Sequence, residues 1–141
     1  MEVKQLNTRT LSGSNKLMTV TAAINGFLAV ALGAFAAHGL HSYASADLLP
    51  TWHTGVRYHM FHALAALIAG MFAQFGGANQ TSGRLSVLAG WLFISGMLFF
   101  CGSLYLLVLA PQGWLMMTAP VGGVLLLLGW VSLIWSLISS K

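Results

Sequence analysis

Gly55-Val56-Arg57-Tyr58-His59-Met60-Phe61-His62-Ala63-Leu64-Ala65-Ala66-Leu67-Ile68-Ala69-Gly70-Met71-Phe72-Ala73-Gln74-Phe75-Gly76 decides the fold. From Tyr58 onward it carries no charge apart from its two histidines, and it is long enough to cross a bilayer core, which takes about 20 apolar residues. Gly55, His59, His62, Ala66, Ala69, Ala73 and Gly76 recur at alternating steps of four and three, so they share one helix face. Small residues on one face of a membrane helix mark the close approach of another helix. The two histidines therefore point into protein and need polar partners there, which makes them candidate functional groups.

Working outward, three more runs have the same character. Expected spans are 17–37, 58–76, 85–110 and 118–138, preceded by a polar segment 1–16, so that 17–141 forms one membrane domain. Pro111 is expected to end the third span, and Pro120 to sit in the first turn of the fourth, where its missing N–H is harmless. Ser14 or Asn15 is a candidate cap for the first. Small or polar stripes recur on the other three helices. They are Ala22, Gly26, Ala29, Gly33, Ala36, then Ala89, Gly96, Ser103, Ala110, then Thr118, Gly122, Leu125, Gly129, Ser132, Ser136, Ser139. The fold class read from these patterns is an all-α, four-transmembrane-helix bundle with shallow crossing angles. Open strands are disfavoured, because a sheet edge in lipid leaves backbone groups unpaired.

Composition agrees. Of 141 residues, 57% are hydrophobic and only 6% charged, against about 25% charged in a soluble domain. The net charge is +4, and Lys4, Arg9 and Lys16 cluster ahead of the first span. That cluster suits an anionic membrane surface; nucleic-acid binding is excluded for want of a basic stripe. Arg84 and Lys141 fall on the side of the N-terminus, whereas Asp47 and Arg57 fall on the other, which places both termini in the cytoplasm. Trp52 and Trp114 are expected at the outer interface, Trp91 and Trp135 at the inner one, and Trp130 deeper in the bundle. The start of the chain and Ala34-Phe35-Ala36 resemble a signal peptide, but a run of 21 residues exceeds a usual h-region, so the segment is expected to stay as a helix.

All five histidines lie between His38 and His62, in the outer half by this topology. His38 and His62, with His59, are expected to converge where the first two helices meet, within reach of Ser103 and Tyr105 from the third. The His38/His41 and His59/His62 pairs each put two imidazoles on one helix face, so zinc, copper or haem held by His38, His59 and His62 is an alternative. The usual carboxylate ligands are missing, so hydrogen bonding is favoured and no cofactor is expected. Asn25 adjoins the first small stripe and is expected to bond another helix; Arg57 points away from its stripe and is expected to reach lipid phosphates. No nucleophile–base spacing, phosphate loop or zinc-protease motif is present, so no catalytic residue is assigned. The functional expectation is a non-enzymatic accessory or stabilising subunit, in a hetero-complex or homo-oligomer within the lipid bilayer. A small-molecule or ion carrier or channel using the histidine cluster is the alternative from another class.

Four motifs together resemble the domain-of-unknown-function 423 family. They are Leu32-Gly33-Ala34-Phe35-Ala36-Ala37-His38-Gly39-Leu40, Tyr58-His59-Met60-Phe61-His62-Ala63-Leu64-Ala65, Gly102-Ser103-Leu104-Tyr105-Leu106, and Thr118-Ala119-Pro120-Val121-Gly122-Gly123 followed by Gly129-Trp130. The resemblance implies a small four-span inner-membrane protein, in a bacterial inner membrane rather than a mitochondrial one, with His38 and His62 at the family's most typical histidine positions. It also implies that the position of His59 often carries Gln, a poor metal ligand, which favours hydrogen bonding there. Ala36 stands where the family usually shows Gly, and Cys101 where it often shows Ser.

Overall fold

A computed structural model describes residues 13–75, 80–110 and 113–140. Four long helices run in sequence: α1 (Gly13–His38), α2 (Leu49–Phe75), α3 (Thr81–Leu109) and α4 (Leu115–Ile138). Two 3-10 turns, Leu40–Ser42 and Ala46–Leu48, join α1 to α2. Each helix contains a stretch long and apolar enough to cross a membrane. Within such a stretch the backbone satisfies its own hydrogen bonds, which is what a lipid solvent requires.

The packing is sequential. α3 lies between α2 and α4, while α1 packs along α2 and meets α3 more lightly. α1 and α4 make no extended contact, so the helices form a curved row rather than a closed ring. Small side chains fill the seams: Ala22, Ala29, Ala63, Ala66, Ala69 and Ala89 are fully buried. Large ones point outward, with Phe27 73%, Leu98 70% and Leu127 67% exposed. This is the reverse of a water-soluble protein, where apolar patches of that size are rare. Lipid removes the hydrophobic drive between helices, so contact depends on close backbone approach and side-chain hydrogen bonds.

The glycines show how close that approach is. A Cβ on Gly122 would strike the backbone of Phe100, 2.7 Å from its Cα, and one on Gly129 would sit 2.7 Å from Cδ1 and Cε1 of the Phe93 ring. Serines then tie α3 to α4 at the end away from the 3-10 turns. Ser86 and Ser136 share a hydrogen bond of 2.6 Å, Ser136 Oγ donates to the Ser82 carbonyl at 2.7 Å, and Ser132 Oγ donates to that of Leu85 at 2.9 Å. At the same end Asn15 Nδ2 of α1 reaches the Gly70 carbonyl of α2, at 3.4 Å.

Several expectations change. Asn15 is buried inside α1 and bonded across to α2, not a cap. α2 begins at Leu49, nine residues before the expected start of its apolar run at Tyr58. α4 begins at Leu115, so Pro120 lies in its second turn and removes one helical hydrogen bond. Gly26 was expected at a tight crossing, yet a Cβ there would meet nothing within 4 Å. Trp52 is 1% exposed and belongs to the core, whereas Trp114 and Trp135 are over half exposed. Trp130 packs in the bundle as expected, against His62 and Phe93, yet remains 44% exposed. Gly76, Pro111, Lys4, Arg9 and Lys141, all used above, lie outside the described residues.

Candidate functional site: two histidine ties

The inward stripe of α2 delivers both histidines to the interior, where His59 and His62 are 6% and 8% exposed. They do different work. His59 sits between α1 and α3. Its Nε2 is 3.1 Å from Asn25 Oδ1, and its Nδ1 is 3.3 Å from Tyr105 Oη. Asn25 Nδ2 donates to the Thr21 carbonyl one turn back, at 2.8 Å, so its Oδ1 is the atom facing His59 and can only accept. Nε2 therefore carries the hydrogen, and in the neutral ring Nδ1 accepts from the Tyr105 hydroxyl. One polar line thus joins three helices: Tyr105 to His59 to Asn25 to the α1 backbone.

Tyr105 is aimed by its neighbours. Its ring lies over Gly55, where a Cβ would come within 2.8 Å of Cε1. The indole of Trp52 packs against the same ring, with ring centroids 4.7 Å apart. Trp52 in turn donates from Nε1 to the Leu32 carbonyl of α1 at 3.0 Å and packs on Phe35. Gly55 occurs in the stripe one turn before His59, which is why the tyrosine can reach the imidazole across α2.

His62 lies one turn deeper and faces α3 and α4. Its Nδ1–H donates to the Tyr58 carbonyl at 2.8 Å, and its Nε2 accepts from the Trp130 indole N–H at 3.2 Å. Tyr58 is stacked beside it, and Phe93 and Trp130 close the other sides, at centroid distances of 5.8, 5.7 and 6.2 Å. The Trp130 bond spans from α4 to α2 across α3.

The expected convergence of His38 with these two does not occur. His38 ends α1 as an exposed residue, 13 positions beyond Asn25, which at 1.5 Å per residue puts it about 20 Å along the axis from the His59 level. No hydrogen bond or ring contact joins it to His59 or His62 among the described residues. The cause is the early start of α2: the residues that neighbour the end of α1 are those near Leu49, not those near Tyr58. His38 thus stands apart from His59 and His62 in this arrangement, and among the described residues no three His, Cys, Asp or Glu side chains are grouped to hold a metal ion. Ser103 or Tyr105 was expected to bond an imidazole: Tyr105 does so, at His59, whereas Ser103 Oγ donates to the Phe100 carbonyl within α3, at 2.8 Å. Arg57 is exposed on the outer side of α2. His41 and His53 are exposed as well. Trp130 was missed as a partner, although its indole N–H, an obligate donor in an apolar helix, was the available signal.

Four apolar helices tied by buried polar groups define an integral membrane protein of the four-span helical class. The family described as "Protein of unknown function (DUF423)" matches residues 32–123. A UPF0382 membrane protein of Bacillus subtilis, YwdK, is 42% identical over 120 residues, covering 84% of this chain and 94% of its own length. A UPF0382 membrane protein of Haemophilus influenzae is 41% identical over 127 residues, covering 90% and 97%. Another, of Staphylococcus aureus, is 42% identical over 119 residues, covering 84% and 93%. No solved structure matches the chain significantly. The chain belongs to the DUF423 family of membrane proteins. His38, His59, His62, Ser103 and Tyr105 fall within the matched range, while Asn25 and Trp130 fall outside it.

Proposed function

We propose that this protein is a non-enzymatic accessory or stabilising subunit of a larger assembly in the bacterial inner membrane, with both termini in the cytoplasm and no resident cofactor. One observation carries the reading. Every buried side-chain nitrogen and oxygen among the described residues has a hydrogen-bond partner. The buried intramembrane polar groups are turned to one another and to the backbone, within and between helices, whereas a reaction centre or a solute path needs polar groups turned toward a reactant or solute. The outer faces of the helices then provide the contact with lipid and with a partner chain.

Crosslinking in native membranes at natural expression levels, followed by native mass spectrometry, tests this. A stable hetero-complex or homo-oligomer is expected; only free monomer in lipid would overturn the reading. The carrier reading draws on the Tyr105–His59–Asn25 line across three helices. Solute or ion flux into proteoliposomes that is lost in His59→Leu would favour it. Elemental analysis and an absorption spectrum of the purified protein check for stoichiometric zinc, copper or haem. Orientation is tested with Asp47→Cys, because the native Cys101 is buried and gives little background labelling. Labelling only from outside the cell is expected; labelling only from the cytoplasm would reverse the topology.

A further inference from the structure

The two histidines differ in what a proton would do to them. A proton added to His59 goes to Nδ1, which can then donate to the Tyr105 oxygen, since a phenol both donates and accepts. Nε2 keeps its bond to Asn25, so that tie survives with one hydrogen reversed. His62 has no such freedom. Its Nδ1 already donates to the Tyr58 carbonyl, so the incoming proton must go to Nε2, the atom that accepts from Trp130. Indole nitrogen is a donor only. Two N–H groups would then face each other, and the bond between α2 and α4 is lost. The geometry points to the His62–Trp130 pair as a proton-sensitive latch, closed when His62 is neutral and opened when it is protonated.

The surroundings do not supply a counter-charge that would hold an imidazolium in place. On α2 the titratable groups near His62 are Tyr58, stacked on it, and His59 one turn away. α3 presents Phe93 to it, and its Cys101 and Tyr105 lie further along that helix. α4 offers Trp130 and contains no ionisable residue from Leu115 to Ile138. α1 holds only Lys16 and His38, near its two ends. None of the four helices contains a carboxylate. Opening would free one edge of Trp130 from α2 while leaving it against Phe93, 5.2 Å away. α4 would then depend on α3 alone at this level.

The test is a pH titration of the full chain in nanodiscs with 15N-labelled tryptophan, the Trp130 indole resonance being assigned with Trp130→Phe. Between about pH 8 and about pH 4, which brackets imidazole ionisation, one step is expected in that resonance. Indole hydrogen exchange should become roughly two- to tenfold faster below the step, the loss of one ordinary hydrogen bond. His62→Gln keeps an acceptor for the indole and removes the titration, so its resonance should stay flat. His59→Gln, which leaves His62 intact, should retain the step. No step in the parent, or the same step in His62→Gln, overturns the latch.

Discussion

Gly122→Ala tests the packing most directly, because what the new methyl would meet is backbone. Its Cβ would lie 2.7 Å from both Cα and Cβ of Phe100 and press on that residue's amide nitrogen, while ordinary contact begins at 3.4 Å. Backbone cannot rotate away as a side chain can, so α3 and α4 must separate by at least about 0.7 Å, the difference between those distances. Overpacking of a close interface costs about 1–3 kcal/mol, and rigid backbone places this site toward the upper end. Replacing Gly by Ala inside a helix returns about 1 kcal/mol. The net expectation is a loss of about 2 kcal/mol. Gly26→Ala supplies the control: its Cβ meets nothing within 4 Å, so only the propensity term acts and stability should rise by up to about 1 kcal/mol. Equilibrium unfolding in mixed micelles, followed by tryptophan fluorescence, reads both. If Gly122→Ala matches the parent, or if the two variants lose stability equally, the α3–α4 approach described here is wrong.

Three further outcomes are expected. His59→Leu should cost about 1–3 kcal/mol by stranding Asn25 Oδ1 and the Tyr105 hydroxyl, while His59→Gln, which can both donate and accept, should retain most of it; unfolding of the two in parallel checks this. Gly55→Ala should displace the Tyr105 ring from its seat, read as loss of the His59 Nδ1 hydrogen-bond signature by 15N spectroscopy and as a cost of about 1–3 kcal/mol. Ser136→Ala should cost only about 0.6 kcal/mol, the usual worth of an interhelical bond in membrane helices, even though the residue bonds both Ser86 and Ser82; a loss several times larger on unfolding would show that the serine ties act as a cooperative unit.

What the sequence determined by itself was everything that depends on local pattern. Four apolar runs of bilayer length can only be helices in lipid, and the 3.6-residue period decides which side of each helix is small. On α2 that was enough to turn Gly55, His59, His62, Ala66, Ala69 and Ala73 inward, and all six are buried. The period also put Asn25 beside the α1 seam, near enough to His59 to bond it. Only the tertiary structure decided which groups meet, because that depends on how far each helix is shifted along its neighbour. A shift of one turn moves a side chain by about 5 Å and changes no local pattern. The early start of α2 at Leu49 is such a shift: it carries His59 and His62 away from His38 and brings them to Asn25, Tyr105 and Trp130. Helix order in space is equally non-local. A Cβ on Gly26 would meet nothing within 4 Å while Gly122 and Gly129 are pressed against α3, although all three belong to stripes of the same kind.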